Sequence, residues 1–171
     1  QGLSLQSAAA LWENVRVFGI LQRIACAYCL GTLLCLLLKT GPRILTAGVF
    51  LLFIHCLGLY LYAPEAPFAA GHNLSQAIDV FFPGIEHVYQ EVGHPFDPEG
   101  IYGTLSAAVS VMLGYLIGRE YHAYQLFYVP QLRFIAYGLA GVFLGVFLSL
   151  WIPIGSALWT ASCVVLPCAL G

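Results

Sequence analysis

Apolar residues run along the chain in long blocks, and polar residues gather between them. Four blocks stand out, at 17–38, 44–62, 101–118 and 134–152. Each is close to the ~20 residues that a helix needs to cross ~30 Å of hydrocarbon. A fifth block opens near Leu158 and is still apolar at Gly171. Its fourteen residues are too few to cross, so the sequence reads as a fragment of a longer protein. The pattern predicts an all-α, polytopic transmembrane bundle of about five helices, forming a single domain over 1–171.

The polar connections give the topology. Residues 39–43 form a short turn with Lys39 and Arg43, and residues 119–133 carry Arg119 and Arg133 at their edges. Residues 63–100 hold neither lysine nor arginine, but six of the eight acids: Glu65, Asp79, Glu86, Glu91, Asp97 and Glu99. Positive loops stay cytoplasmic. The two basic connections are then inside, and the acidic loop and the 153–157 turn are outside, an alternation that five consecutive spans require. Within the acidic loop, residues 74–82 suit a short amphipathic helix, with Ile78, Phe81 and Phe82 on one side. Asn73-Leu74-Ser75 is a glycosylation sequon on the same side. Trp12, Tyr60, Tyr62, Trp151 and Trp159 fall where an aromatic belt would sit. Gly114-x-x-x-Gly118 and Gly141-x-x-x-Gly145 are small-residue faces for close helix packing.

Composition narrows the class. The chain has 171 residues, 60% of them apolar and only 8% charged. Soluble domains carry roughly 25% charged residues, so a soluble enzyme and a disordered tail are excluded. A net charge of −2 offers no basic patch for nucleic acid. The six cysteines all lie in apolar runs and read as small buried hydrophobes, Cys26-x-x-Cys29 included. The opening residues do not form a signal peptide.

Few residues are left to carry chemistry. Arg16 and Arg23 lie at the outer end of the first span, Arg23 roughly 9 Å into it and next to Gln22. A charge at that depth is costly and pairs or lines a cavity. At the same end, His94-Pro-Phe-Asp97-Pro98-Glu99-Gly100 leads into the third span. Asp97, Pro98 and Glu99 suit a helix start. Two carboxylates at the hydrocarbon edge also suit a cluster with the arginines, able to bind a polar substrate or act as a base. Arg23 and the 97–99 turn are therefore expected to face one cavity. Thr104 lies one turn further on, where its hydroxyl lines that cavity or bonds its own helix. His55, within the second span, reads as a hydrogen-bonded core residue. His87, His94, Asp97 and Glu99 match no standard metal spacing, and no metal is expected.

Three stretches together resemble a family. They are Arg16-Val-Phe-Gly-Ile-Leu-Gln-Arg23-Ile, His94-Pro-Phe-Asp-Pro-Glu-Gly-Ile-Tyr-Gly-Thr-Leu105 and Leu158-Trp-Thr-Ala-Ser162. In this order they resemble the heparan-alpha-glucosaminide N-acetyltransferase family and its bacterial transmembrane acyltransferase relatives. Phe18 stands where the family has proline, and Phe96 where it has tyrosine. Gly155-Ser156-Ala157 replaces a polar stretch. The early helices that carry the family's acetyl-transfer histidine have no counterpart in 1–171, so this segment alone is expected to be inactive.

The resemblance implies transfer of an acetyl group from acetyl-CoA to an amino sugar or glycan on the outer side. Asp97 and Glu99 would then be catalytic or hold the acceptor. Arg16, Gln22, Arg23, Thr104, Trp159 and Ser162 would bind donor or acceptor. The partners implied are membrane lipid and a small-molecule or glycan acceptor, with no nucleic acid and with room for a homo-oligomer. A bacterial inner membrane fits the compact outer loops better than a lysosomal one. A transporter or flippase half for a polar substrate, and a subunit without chemistry, are the competing readings.

Overall fold

A computed structural model describes residues 19–69, 73–81, 90–91, 94–95, 100–124, 130–155 and 158–170. Six helices lie within them: α1 Ile20–Leu38, α2 Gly41–Tyr62, α3 Leu74–Phe81, α4 Ile101–Tyr124, α5 Pro130–Ser149 and α6 Ala161–Leu170. Between α3 and α4, Gln90–Glu91 pairs antiparallel with His94–Pro95 for two residues. The chain is thus an all-α bundle. α1, α2, α4 and α5 are each long and apolar enough to cross a membrane, and α6 is a shorter apolar helix.

Apolar periodicity does not orient these helices, because hydrocarbon rewards apolar side chains on every face. Close packing of small residues does so instead. The buried stripe of α1 is Arg23, Ala27, Gly31 and Cys35, spaced by four. It lies on α4, where a methyl at Gly31 would stand 2.9 Å from the Ala108 carbonyl oxygen. The buried stripe of α2 is Ile44, Gly48, His55 and Leu59. α4 is the central helix, packed by α1, α2, α3 and α6, while α5 packs on α6. Gly141 and Gly145 meet Ala169 and Leu166 of α6, the close approach that their spacing predicts. At Gly114 and Gly118 an added methyl would meet nothing within 4 Å, and neither glycine joins such a contact among the described residues.

The two ends of the bundle sort as the charge pattern predicts. At one end the Arg119 side chain donates to the Lys39 carbonyl, joining the two basic connections. At the other, Tyr60 donates to the Trp151 carbonyl, joining the ends of α2 and α5. Lys39 closes α1 with φ 59°, a backbone that glycine adopts without strain. Lys39→Gly is therefore expected to raise stability by about 1 kcal/mol, the order of the left-handed strain that it relieves, read as a higher thermal midpoint in detergent. An unchanged or lower midpoint would show that the lysine side chain offsets its own strain.

Two expectations are corrected. Cys26 and Cys29 are exposed on α1, and only Cys35 is buried. The apolar runs that suggested protein burial mark lipid-facing helix surface equally well. α3 is the short amphipathic helix that the loop sequence suits, with Ser75 and Asp79 on its buried side and Phe81 81% exposed. Asn73 caps this helix. Its side-chain oxygen accepts from the Gln76 amide, and its amide donates to the Ala69 carbonyl. Buried and engaged in this way, Asn73 is not presented for a glycan.

Candidate functional site

The end of the bundle that carries the acidic connection is organised around the first turn of α4. Asp79 of α3, fully buried, accepts the Ile101 amide at 2.8 Å and a hydrogen bond from Ser75 at 3.2 Å. A carboxylate there satisfies an amide that a helix start leaves open and complements the positive end of the helix. It therefore holds α3 onto α4. Gly100 leaves the space for it, because a methyl at Gly100 would overlap the Asp79 carboxylate.

The next two residues of α4 face different neighbours. Tyr102 turns to α2. Its hydroxyl donates to the His55 carbonyl at 3.0 Å, with the Ile54 carbonyl at 3.4 Å as a second acceptor. Gly58 makes room for that hydroxyl and for Leu74. The Tyr102 ring stacks on the His55 ring at 4.7 Å and 23°. Gly103 turns to α1, where a methyl would stand 3.6 Å from an Arg23 nitrogen.

Arg23 is the first member of the α1 stripe and is 7% exposed. Its guanidinium lies 4.2 Å from the centre of the Trp159 ring. Such a contact is worth roughly 1–2 kcal/mol where water is excluded. Trp159 has φ 47°, a left-handed conformation rare for a bulky residue. The 153–160 turn enforces it. Thr160 donates to the Pro153 carbonyl and accepts the Gly155 amide, and the Ser162 hydroxyl bonds the Ile152 carbonyl at 2.9 Å. Strain held in place by its surroundings is what functional positions tend to show.

The residues singled out in the sequence divide accordingly. Arg23 is buried and meets Trp159, while the 97–99 turn with which it was expected to share a cavity lies outside the described residues. Trp159 belongs to the bundle rather than to an interfacial belt, whereas Trp151 and Tyr62 are exposed as belt residues would be. Ser162 is buried and spends its hydrogen on the turn. The Thr104 hydroxyl bonds the Gly100 carbonyl of its own helix. Gln22 is exposed on the first turn of α1. Arg16, Asp97 and Glu99 lie outside the described residues, as do His87, Phe18 and Phe82.

His55 departs from its reading. It is 1% exposed, yet neither ring nitrogen has a hydrogen-bond partner among the described residues. A buried polar group left in that state costs about 1–3 kcal/mol. Arg23 is close enough to act on it electrostatically. The signal for it lay in the α2 stripe: His55 follows Gly48 by seven residues and precedes Leu59 by four, which puts it on the inward face. Asp79 carried no motif, and only the fold brings it in; Tyr102 lies within the 94–105 stretch, but its contact with His55 shows only in the fold. No family model and no curated protein matches the chain.

Proposed function

We propose that the chain is part of a membrane-embedded acyltransferase that moves an acetyl group from acetyl-CoA to an amino sugar or glycan on the outer side. A bacterial inner membrane is the setting we favour. One observation carries the reading. Arg23, Gly103 and Trp159 belong to three stretches spread over most of the sequence, and they meet at one place. Those are the three stretches on which the family resemblance rests.

The arrangement suits the chemistry. A guanidinium held against an indole face and shielded from lipid can orient a thioester carbonyl and stabilise the negative charge that grows on its oxygen. Asp97 and Glu99 immediately precede Gly100, so in this reading they hold the acceptor's hydroxyl or amine groups near the first turn of α4. Arg16 and Gln22 would extend the donor site along α1. Trp159 packs on the Arg23 guanidinium. Thr104 and Ser162 contribute through the backbone that they bond.

The test uses the longest native reading frame containing this segment, purified in detergent with labelled acetyl-CoA and a panel of amino sugars. Label should pass to a sugar. Arg23→Ala and Glu99→Ala should each lose at least about 100-fold of that rate while folding normally. No transfer and no CoA binding across the panel would refute the reading.

A further inference from the structure

We propose that the groove between α2, α4, α5 and α6 seats one acyl chain of an anionic phospholipid, whose headgroup rests on Arg119 and Arg133. This site is independent of the acyltransferase reading. The groove holds about 250 Å³. Leu45, Val49 and Leu52 of α2, Leu113 of α4 and Leu144 of α5 are among its apolar walls. A cavity with such walls stays dry. It opens sideways, where hydrocarbon lies: Leu45, Val49 and Leu144 each expose about half of their surface or more.

One end of the groove is tied shut and the other is charged. At the acidic end of the bundle, Tyr60 donates to the Trp151 carbonyl and joins α2 to α5. Further along, α5 packs mainly on α6 and α2 mainly on α4, which leaves the groove between them. Its lining on α2 runs from Ile44 to Leu52, roughly 12 Å of helix. At the basic end, two walls each carry a guanidinium one turn beyond the lining. Arg119 follows Leu116 by three residues on α4, and Arg133 precedes Tyr137 by four on α5, spacings that keep each on the groove side of its helix. The Tyr121 and Phe134 rings meet at 6.0 Å, which sets the ends of α4 and α5 level. Arg119 is held over the start of α2. Its side chain donates to the Lys39 carbonyl, and a methyl at Gly41 would stand 2.7 Å from it. Among the described residues, Glu120 is the one acid at this end, against Lys39, Arg43, Arg119 and Arg133.

An amphiphile with an anionic head and an extended tail matches both features. Topology accounts for cations at this end, but not for their place over a dry groove. Basic pockets between spans recognise anionic headgroups. Arginine suits phosphate because its fork pairs two donors with two oxygens. A zwitterionic headgroup brings its own cation, so two guanidiniums favour it less. The tail supplies the contacts that α2 and α5 do not make with each other, and it covers Val49 and Leu144.

The test places the longest native reading frame in nanodiscs of phosphatidylcholine. A trace of phosphatidylglycerol or of phosphatidylcholine, each with a photoreactive acyl chain, is added, and peptide mass spectrometry reads where the label lands. The glycerol probe should label Val49, Leu113 and Leu144 at least about fivefold more than the choline probe, the worth of one basic residue at a membrane surface. Both probes should label Leu37, exposed on α1, alike. Arg119→Gln and Arg133→Gln should each lower groove labelling by the glycerol probe about fivefold. Val49→Phe should fill the groove and remove label from Leu113 and Leu144 while Leu37 keeps it. Equal groove labelling by the two probes overturns the proposal and makes the groove ordinary lipid-facing surface. No label in the groove also overturns it and points to a further segment of the protein as the occupant. Groove labelling that survives both arginine variants overturns the headgroup contact and the proposal with it. The wild-type comparison decides even where a variant fails to fold. Acetyl transfer is not read, so failure here leaves the acyltransferase reading standing.

Discussion

Gly100→Ala is expected to destabilise the bundle by about 3 kcal/mol. The added methyl would fall on the buried Asp79 carboxylate, so either α3 or the start of α4 must move. Movement loses the bond from the Ile101 amide to Asp79. A hydrogen bond to a charged group is worth roughly 1.5–3 kcal/mol, and forcing atoms into a packed interior costs roughly 1–3. Gly114→Ala is the control. It adds the same methyl to the same helix where nothing lies within 4 Å, and it should stay within about 0.5 kcal/mol of wild type. The two causes separate in a double-mutant cycle. In an Asp79→Ala background, which already lacks the carboxylate, adding Gly100→Ala should cost under about 1 kcal/mol. Chemical unfolding in detergent measures all four proteins. Equal costs at Gly100 in both backgrounds would mean that the glycine serves the backbone and not the carboxylate.

That carboxylate also marks where sequence reading stops. Block length and loop charge were enough for the spans and their alternation, because hydrocarbon thickness and positive loops act on short stretches of chain. The helix ends were less legible. α4 runs on to Tyr124, beyond the apolar block that stops at Gly118, since hydropathy registers the edge of the lipid and not the end of hydrogen bonding. The last apolar block opens with a turn at 158–160, and α6 starts only at Ala161. Among six loop acids, nothing local distinguishes Asp79 from Glu65. The difference is that α3 folds back on α4, 22 residues away in sequence. Arg23 was legible because a charge inside an apolar block is costly wherever it points. His55 was only half legible: the stripe gives its direction, but the lack of a hydrogen-bond partner is a property of the packed bundle.

On the proposed acyltransferase reading, Arg23→Lys is expected to lose at least about 100-fold of acetyl transfer although the positive charge is kept. Lysine offers a compact ammonium, whereas arginine offers a planar fork that stacks on an aromatic face and directs several donors at fixed angles. The guanidinium carbon lies over the Trp159 ring, 4.2 Å from its centre, in contact with the indole face. The indole is in turn set by the Thr160 and Ser162 bonds that hold the turn at φ 47° for Trp159. An ammonium cannot inherit this chain of positioning. Stability separates from activity here. Replacing a buried ion by an apolar side chain of similar volume is often neutral or stabilising, so Arg23→Met should keep its thermal midpoint despite losing a contact worth about 1–2 kcal/mol. The lysine and methionine variants should then fold alike and both lack transfer, while Trp159→Phe, which keeps an aromatic face, should retain part of it. A lysine variant that transfers within threefold of wild type would reduce Arg23 to a point charge, and the Trp159 contact would then be packing alone.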